Sequence, residues 1–329
     1  MSPAVSVVIP CYNLGQYLDE AVSSVLAQSF QDVEILIVDD GSTDAATQAV
    51  LAGYSRPKTR VIRAAHAGLA AARNLAISQA TGPYLCALDA DDRLETSFLE
   101  KTVRVLDGDK SLTFCSSWLR TFGDETWDWT PERCDLPTLL WENTVLTAAL
   151  VRRDAVVAIG GYDTAMPEQG DEDWDLWLTL VERGHRGVIL PEILFNYRRR
   201  AGSMSTVCWY GPGHLPLMSY RVAKHQTIYD RHRLDVLLHQ DDATAAFLRD
   251  NDGLERHIAS YLEPAVNLRR QELAAMQSKL SASSHVDNLE AALRATSAEV
   301  TALRTSMSWR VTAPLRAIYG RWLDWRTRA

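Results

Sequence analysis

The first hundred residues switch between two hydrophobic periods, and that switching constrains the fold more than any other feature of the chain. Short β-branched runs from Val5 to Ile9, Val33 to Val38, Arg60 to Ile62 and Tyr84 to Leu88 read as buried strands. Between them, the stretch from Leu14 to Ala27 places Leu14, Leu18, Ala21, Val22 and Val25 on one helical face. An Ala-rich helix follows from Gly68 to Ala80, and a third helix begins after Leu94. Strand and helix in this rhythm predict an α/β fold, a mostly parallel central sheet with helices on both faces. Ligands of such sheets sit in the crevice beyond the carboxyl ends of the strands, so chemistry is expected there.

The rest of the chain is less regular. Residues 111–150 carry four tryptophans (Trp118, Trp127, Trp129 and Trp141) and are expected to hold further strands and a short helix. Asp173 to Arg183 reads as a helix, and Val188 to Tyr197 as one or two strands around Pro191. After Gly213 the pattern turns helical, which divides the chain into an α/β domain over 1–213 and a helical region over 214–329. The length of 329 residues fits about two domains. Leu289, Leu293, Val300, Leu303 and Met307 make a coiled-coil-like stripe within about 266–307, through which the helices could form a homo-oligomer. Thirty-four basic against 42 acidic residues give a net charge of −8, which argues against a general nucleic-acid binder. Five scattered cysteines without a CxxC pair argue against a disulfide framework and a zinc site. Together with the lack of a signal-peptide pattern or a long apolar run, they predict a cytoplasmic setting.

Four polar clusters fall where the crevice rule looks for chemistry. They are Pro10-Cys11-Tyr12-Asn13, Asp39 to Asp44, Asp89-Ala90-Asp91-Asp92, and Gly170 to Asp173 at the start of the helix near Trp174. Asp44 and Asp171 taken singly read as helix N-caps. Three segments that each bring two or more carboxylates to one sheet edge repel one another unless a cation or donors lie between them. Asp-x-Asp spacing supplies hard oxygen ligands for Mg²⁺ or Mn²⁺, the usual companions of phosphate substrates. The clusters therefore predict a metal–diphosphate site.

With those motifs in order, the chain resembles the inverting glycosyltransferases of family 2, which have the GT-A fold. The resemblance covers about residues 4–206. It rests on Val5 to Asn13, Ile37 to Asp44, Gly68 with Ala72-Arg73-Asn74, Leu88 to Asp92, Glu172 to Trp177, and Tyr197-Arg198 followed by Gly202-Ser203-Met204-Ser205. It implies a donor, typically a UDP-sugar, whose base is held by Pro10, Tyr12 and Asp39, with Asn13, Asp40, Arg73, Asp89 and Arg198 also around the nucleotide-sugar. Asp91, assisted by Asp89, would hold the divalent cation, and Asp92 would stand behind them. Asp173 would be the catalytic base and Glu172 its neighbour at the acceptor or sugar. The implied acceptor is a hydroxyl of a glycan or a lipid-linked glycan, as in polysaccharide assembly.

Beside that resemblance, Trp174 and Trp177 read either as core or as sugar contacts, and Trp127 and Trp129 as an exposed acceptor surface. The helix N-terminus beneath Asp173 is expected to hold its pKa low, with apolar neighbours such as Trp174 restoring its basicity. Many relatives carry a His shortly before the Ser-x-Ser turn. Here Arg198, Arg199 and Arg200 stand instead, and the nearest upstream histidine is His185. Arginine is thus expected at the diphosphate, although Arg199 and Arg200 read equally well as solvated. A nucleotidyltransferase would want a Gly-rich phosphate loop after the first strand, which Cys11-Tyr12-Asn13-Leu14 does not provide. A haloacid-type phosphatase fails at Arg93, and a catalytically silent scaffold would have no need of Asp89, Asp91 and Asp173 together. Finally, residues 304–329 hold six Arg and one Asp, and Leu315, Ile318, Tyr319 and Trp322 form an apolar stripe. This basic tail, 308–329, predicts peripheral association with the inner face of a membrane.

Overall fold

The chain is described by a computed structural model for residues 2–200 and 214–236, and at positions 238, 267, 270, 271, 291, 293–298, 301 and 302. It divides into two units, Met1–Leu237 and Leu238–Ala329. The described positions of the second unit are helical. The Gly202 to Ser205 turn, most of the coiled-coil stripe and the basic tail lie outside the described residues. No described helix is long and apolar enough to cross a membrane.

The four strands expected at the N-terminus are β1 (Val5–Cys11), β2 (Val33–Asp40), β3 (Thr59–Ala64) and β4 (Tyr84–Ala87). All seven residues of β1 are buried, because the strand has a helix layer on each face. The period of two sorts its side chains: Val5, Val7, Ile9 and Cys11 enter one core, and Val8 enters the other. Ile35 and Ile37 of β2 join the first core, and Leu36 and Val38 the second. On the first face lie α1 (Gly15–Leu26) and α4 (Phe98–Gly108); on the second lie α3 (Leu69–Gln79), α5 (Leu136–Trp141) and α7 (Glu172–Glu182). Two shorter helices, α2 (Ala45–Ala52) and α6 (Arg153–Ala158), complete this part of the chain.

The remaining strands are β5 (Arg93–Leu94), β6 (Leu112–Gly123), β7 (Asp128–Trp129), β8 (Leu150–Arg152) and β9 (Arg186–Arg199). The sheet runs β3-β2-β1-β4-β8-β6-β9-β5, with β7 paired to β6. Its long pairings, β1 with β2, β1 with β4, β2 with β3 and β6 with β9, are parallel. The short β5, β7 and β8 add antiparallel contacts. The segment around Pro191 is a single strand, 14 residues long. Its register against β6 jumps from Ser117 opposite Leu190 to Trp118 opposite Ile193, so Pro191 sits in the irregularity where no ladder donor is needed.

The first unit continues past the expected boundary at 213. Two further helices, α8 (His214–Lys224) and α9 (Gln226–Arg231), belong to it. Ile228 is buried in the second core, and Tyr229 donates its hydroxyl to the Leu140 carbonyl at 2.8 Å.

Candidate active site

The carboxyl ends of β1, β2 and β4 open into a cavity of about 860 Å³. Its floor at β1 is Pro10-Cys11-Tyr12. Asn13 turns the chain there with φ +56°, a left-handed conformation that asparagine tolerates better than most residues. The Asn13 side chain then laces this turn to the next. Its Oδ1 accepts from Thr43 N at 2.8 Å and from Asp44 N at 3.0 Å, and its Nδ2 donates to Thr43 Oγ1. Asn13 thus shapes the turn. Asp44 caps α2 by accepting from Thr47 N, as expected.

Of the Asp39-Asp40 pair, Asp40 lines the cavity. Asp39 accepts from Ser42 N at 2.9 Å and closes its own loop. The nearly buried Asp40 carboxylate accepts from Ala67 N and Gly68 N, seating the N-terminus of α3. It also receives His66 Nδ1 at 2.9 Å. The Asp40 carbonyl lies 3.0 Å from the same nitrogen and can only accept, so Nδ1 carries the proton and Nε2 faces away from this pair. The His66 ring stacks on Tyr12, with centroids 4.2 Å apart and planes 24° apart. His66 was not anticipated from the sequence. Its position beyond the end of β3 falls under the crevice rule, but nothing in the sequence marks it as Tyr12's partner. Gly41 fits beneath it because a Cβ there, at φ +68°, would meet His66 N at 2.6 Å.

The Asp89-Ala90-Asp91-Asp92 loop is held by arginines. Asp92, buried, accepts from Arg198 N at 2.7 Å. Arg198 Nε donates to the Asp91 carbonyl, its Nη2 pairs with Glu20, and its guanidinium stacks on Tyr17 and Phe122. Arg200 Nε meets Asp91 Oδ2 at 3.0 Å, and Arg199 reaches Glu125 at 3.4 Å. Neither is simply solvated. Burial first, and then Asp89, push Asp91 above the usual carboxylate range; burial followed by Asp91 and Asp89 push Asp92 well above it.

Arg73, on α3, is 1% exposed and spans the cavity floor. Its Nη2 meets Asp89 Oδ1 at 2.7 Å and its Nη1 meets Glu172 Oε1 at 2.8 Å. Burial opposes its charge, but Asp89 and Glu172 more than offset that, and its pKa is raised. Arg73, expected at the nucleotide-sugar, lines the cavity and ties the Asp-x-Asp loop to α7. Glu172, engaged by Arg73 and by Gly170 N, is correspondingly occupied.

Asp173 lines the cavity and is partly open to it. Its Oδ1 accepts from Asn143 Nδ2 at 3.3 Å and from Trp174 N at 2.7 Å. The helix N-terminus was expected to keep this carboxyl acidic. Instead burial, reinforced by Glu172, raises it to about 7. Trp174 and Trp177 are core residues, 4% and 0% exposed, because the face of α7 that carries them is turned into the sheet. Trp174 Nε1 donates to the Leu139 carbonyl at 2.6 Å. They are thus corrected from sugar contacts to packing. Trp127, 46% exposed, and Trp129 do line the cavity.

Comparison with known proteins settles the lineage. The family model for Glycosyl transferase family 2 matches residues 6–165. TuaG of Bacillus subtilis (strain 168), provisionally named a teichuronic acid biosynthesis glycosyltransferase, is 31% identical over 215 residues, 63% of this chain and 83% of TuaG. The chain belongs to glycosyltransferase family 2. EpsE of the same organism, provisionally named a glycosyltransferase, is 30% identical over 207 residues, 60% of this chain and 73% of EpsE. The chain is accordingly a glycosyltransferase, and its sheet is the GT-A type. A crystal structure of S. aureus TarS 1-349 in complex with UDP-GlcNAc superposes with a TM-score of 0.52 at 20% identity, over 63% of this chain and 61% of that one. The triple arginine at the end of β9 places a guanidinium on the second aspartate of the Asp-x-Asp pair.

Proposed function

We propose that this family 2 enzyme is an inverting transferase, moving a sugar from a UDP-sugar to a hydroxyl of a glycan or glycolipid acceptor, with Asp173 as general base. The observation that carries the reading is a single carboxyl, raised to about 7, that shares one cavity with the Asp-x-Asp loop. Such a group is about half ionised at neutral pH and basic enough to accept a proton, a contribution of about 10²–10⁴ in rate. The exposed face of Tyr12 next to His66 suits a nucleobase, and Arg198 and Arg200 suit the diphosphate. Trp127 suits the acceptor sugar.

Among the described residues no three His, Cys, Asp or Glu side chains form a metal-binding group. Two carboxylates still fit a hard divalent ion that takes its other ligands from phosphate and water. The fit is supported by Asp91 and Asp92, both raised by burial first and then by neighbouring carboxylates (Asp89 for Asp91, Asp91 and Asp89 for Asp92), and by Asp92 Oδ2, buried without a partner. Asp91 and Asp89 would hold Mg²⁺ or Mn²⁺. Bound there, such an ion offsets the charge of the departing diphosphate. In the reaction the acceptor oxygen bonds to C1 of the sugar while the C1–O bond to the diphosphate breaks. The leaving oxygen keeps the electron pair, and Asp173 receives the acceptor's proton. One displacement from the face opposite the diphosphate inverts the anomeric centre. Arg73 holds the loop and α7 at fixed separation while this happens.

Thermal unfolding with UDP, GDP, CDP and dTDP, each with and without Mn²⁺, tests the donor site. Saturation at 100 times Kd stabilises by about 2.7 kcal/mol. The reading expects a Mn²⁺-dependent response to UDP that Asp91→Ala abolishes. No response to any nucleotide, or undiminished transfer by Asp173→Asn, refutes it.

A further inference from the structure

The first turn of α7 and the residues flanking it carry four carboxylates, Asp171, Glu172, Asp173 and Asp175, on a stretch of five residues. Each neighbour of Asp173 has a fixed cation. Glu172 has Arg73, from α3. Asp175 has Lys224 at 2.7 Å and His225 Nε2 at 3.1 Å, both beyond the 6–165 family match. Asp171, 8% exposed at its side chain, has Arg221 of α8, itself 4% exposed. Asp171 was expected to cap α7, yet it makes no side-chain cap bond. Its carboxylate is turned to the arginine.

Arg221 does a second thing. Its guanidinium lies 3.4 Å from the centroid of the Trp174 ring. Trp174 is the residue after Asp173, and its indole edge is pinned to the Leu139 carbonyl. The residues on both sides of Asp173 are therefore immobilised, Glu172 by Arg73 and Trp174 by Arg221 with Leu139. Asp173 itself faces no cation within salt-bridge distance among the described residues.

We propose that Arg221 is a positioning residue of the transfer reaction: wedged between the Asp171 carboxylate and the Trp174 indole, it fixes the turn of α7 from which Asp173 enters the cavity and neutralises the charge beside it. The proposal rests on the reading of Asp173 as the base. It extends the working site from α7 to α8. The electrostatic half of the argument has a definite sign. Asp171 is among the charges that hold the Asp173 proton on, as Glu172 is, whereas Arg73 acts in the opposite sense. Tyr162 and Asp89 also face Arg73, and Tyr229 of α9 faces Arg221. Tyr162 and Asp89 keep their partner Arg73 when Asp171 or Arg221 is changed, whereas Tyr229 loses its Arg221 contact in Arg221→Gln. Unmatching Asp171 should make Asp173 harder to ionise; removing Asp171 while Arg221 stays should make it easier; removing both should cancel.

The test is a ¹³C NMR titration of the full chain with carboxyl-labelled aspartate, which requires no substrate. Asp173→Asn identifies the resonance. In the unmodified protein it is expected to titrate at about 7. Arg221→Gln should move its midpoint up by about one pH unit, Asp171→Asn should move it down by a similar amount, and the double variant should return it close to the start. A loosened fold alone would move both single variants the same way, and that result overturns the proposal. So does a midpoint that stays put in both. Should Arg221→Gln fail to fold, the downward move in Asp171→Asn decides alone. If no resonance near 7 disappears in Asp173→Asn, it is the reading of Asp173 that fails, a result distinct from either of those.

Discussion

A general base kept ready by burial must weaken the fold that holds it, and Asp173→Asn measures by how much. In the unfolded chain an aspartate ionises near 4; in the folded protein Asp173 ionises at about 7. Above pH 7 the folded state therefore holds a charge that the unfolded state holds more cheaply, at about 1.4 kcal/mol for each pH unit between the two values. The full interval amounts to ~4 kcal/mol, and water in the cavity screens the exposed side of the carboxylate, leaving about 2–4 kcal/mol. The sign follows from proton uptake. Between pH 4 and 7 the native state binds more protons than the unfolded state, so the penalty is absent below pH 4, grows across that interval and is complete above it. Asparagine carries no charge to desolvate and can still accept from Asn143 through its Oδ1. Urea unfolding at pH 8 should show Asp173→Asn more stable than the parent by 2–4 kcal/mol, about 5–15 °C in Tm, with no gain at pH 4. Equal or lower stability at pH 8 refutes the claim that burial raises this carboxyl. A gain of the same size at pH 4 shows that packing, rather than charge, is responsible.

Other perturbations read the same framework. Arg73→Met leaves Glu172 buried and unpaired and should cost about 3–5 kcal/mol in urea unfolding, with Asp89 adding little because it is partly solvated; adding Glu172→Gln should recover most of the loss. His66→Ala strips one ring from the Tyr12 stack and should weaken UDP binding about fivefold by calorimetry, while Tm stays within a few degrees. Gly187→Ala would place a methyl 1.9 Å from the Phe114 ring and should destabilise by about 1–3 kcal/mol in thermal melts.

What could be read from the sequence divides along a physical line. β1, β2 and β4 were legible because a strand buried on both faces is a largely apolar run; β3, read as buried, is instead an edge strand with no buried residue. The acidic clusters were legible because parallel topology sends strand ends to one edge. Where contacts between distant segments decide, the sequence was silent. Nothing in Arg93-Leu94 announces a strand, since its partner is Asn196 and Phe195 on β9. Trp174 and Trp177 look the same whether they face sugar or core, and only the rotation of α7 separates the two. Asp39 and Asp40 are adjacent, and the loop geometry that gives α3 to Asp40 cannot be read from their order. The pKa of Asp173 was misjudged because the helix dipole is a local quantity, whereas the burial that outweighs it depends on how distant segments pack.

The order of strands in the sheet also bears on how the protein comes into being. β5, which follows directly on the Asp89 to Asp92 loop, pairs with β9, and the Asp92 carboxylate accepts from Arg198 on that same strand. The donor-side loop is thus written early in the chain and, beyond the Arg73–Asp89 pair, is tied down by the last described strand. During synthesis, the first ninety residues can collect β1 to β4 into a sheet and set Arg73 against Asp89, while Asp91 and Asp92 still lack Arg198 and Arg200. Contacts of such sequence separation form slowly, so binding competence should arrive in a late, concerted step. A nascent chain released before residue 198 would then carry Asp91 and Asp92 without the Arg198 and Arg200 contacts that hold them in place.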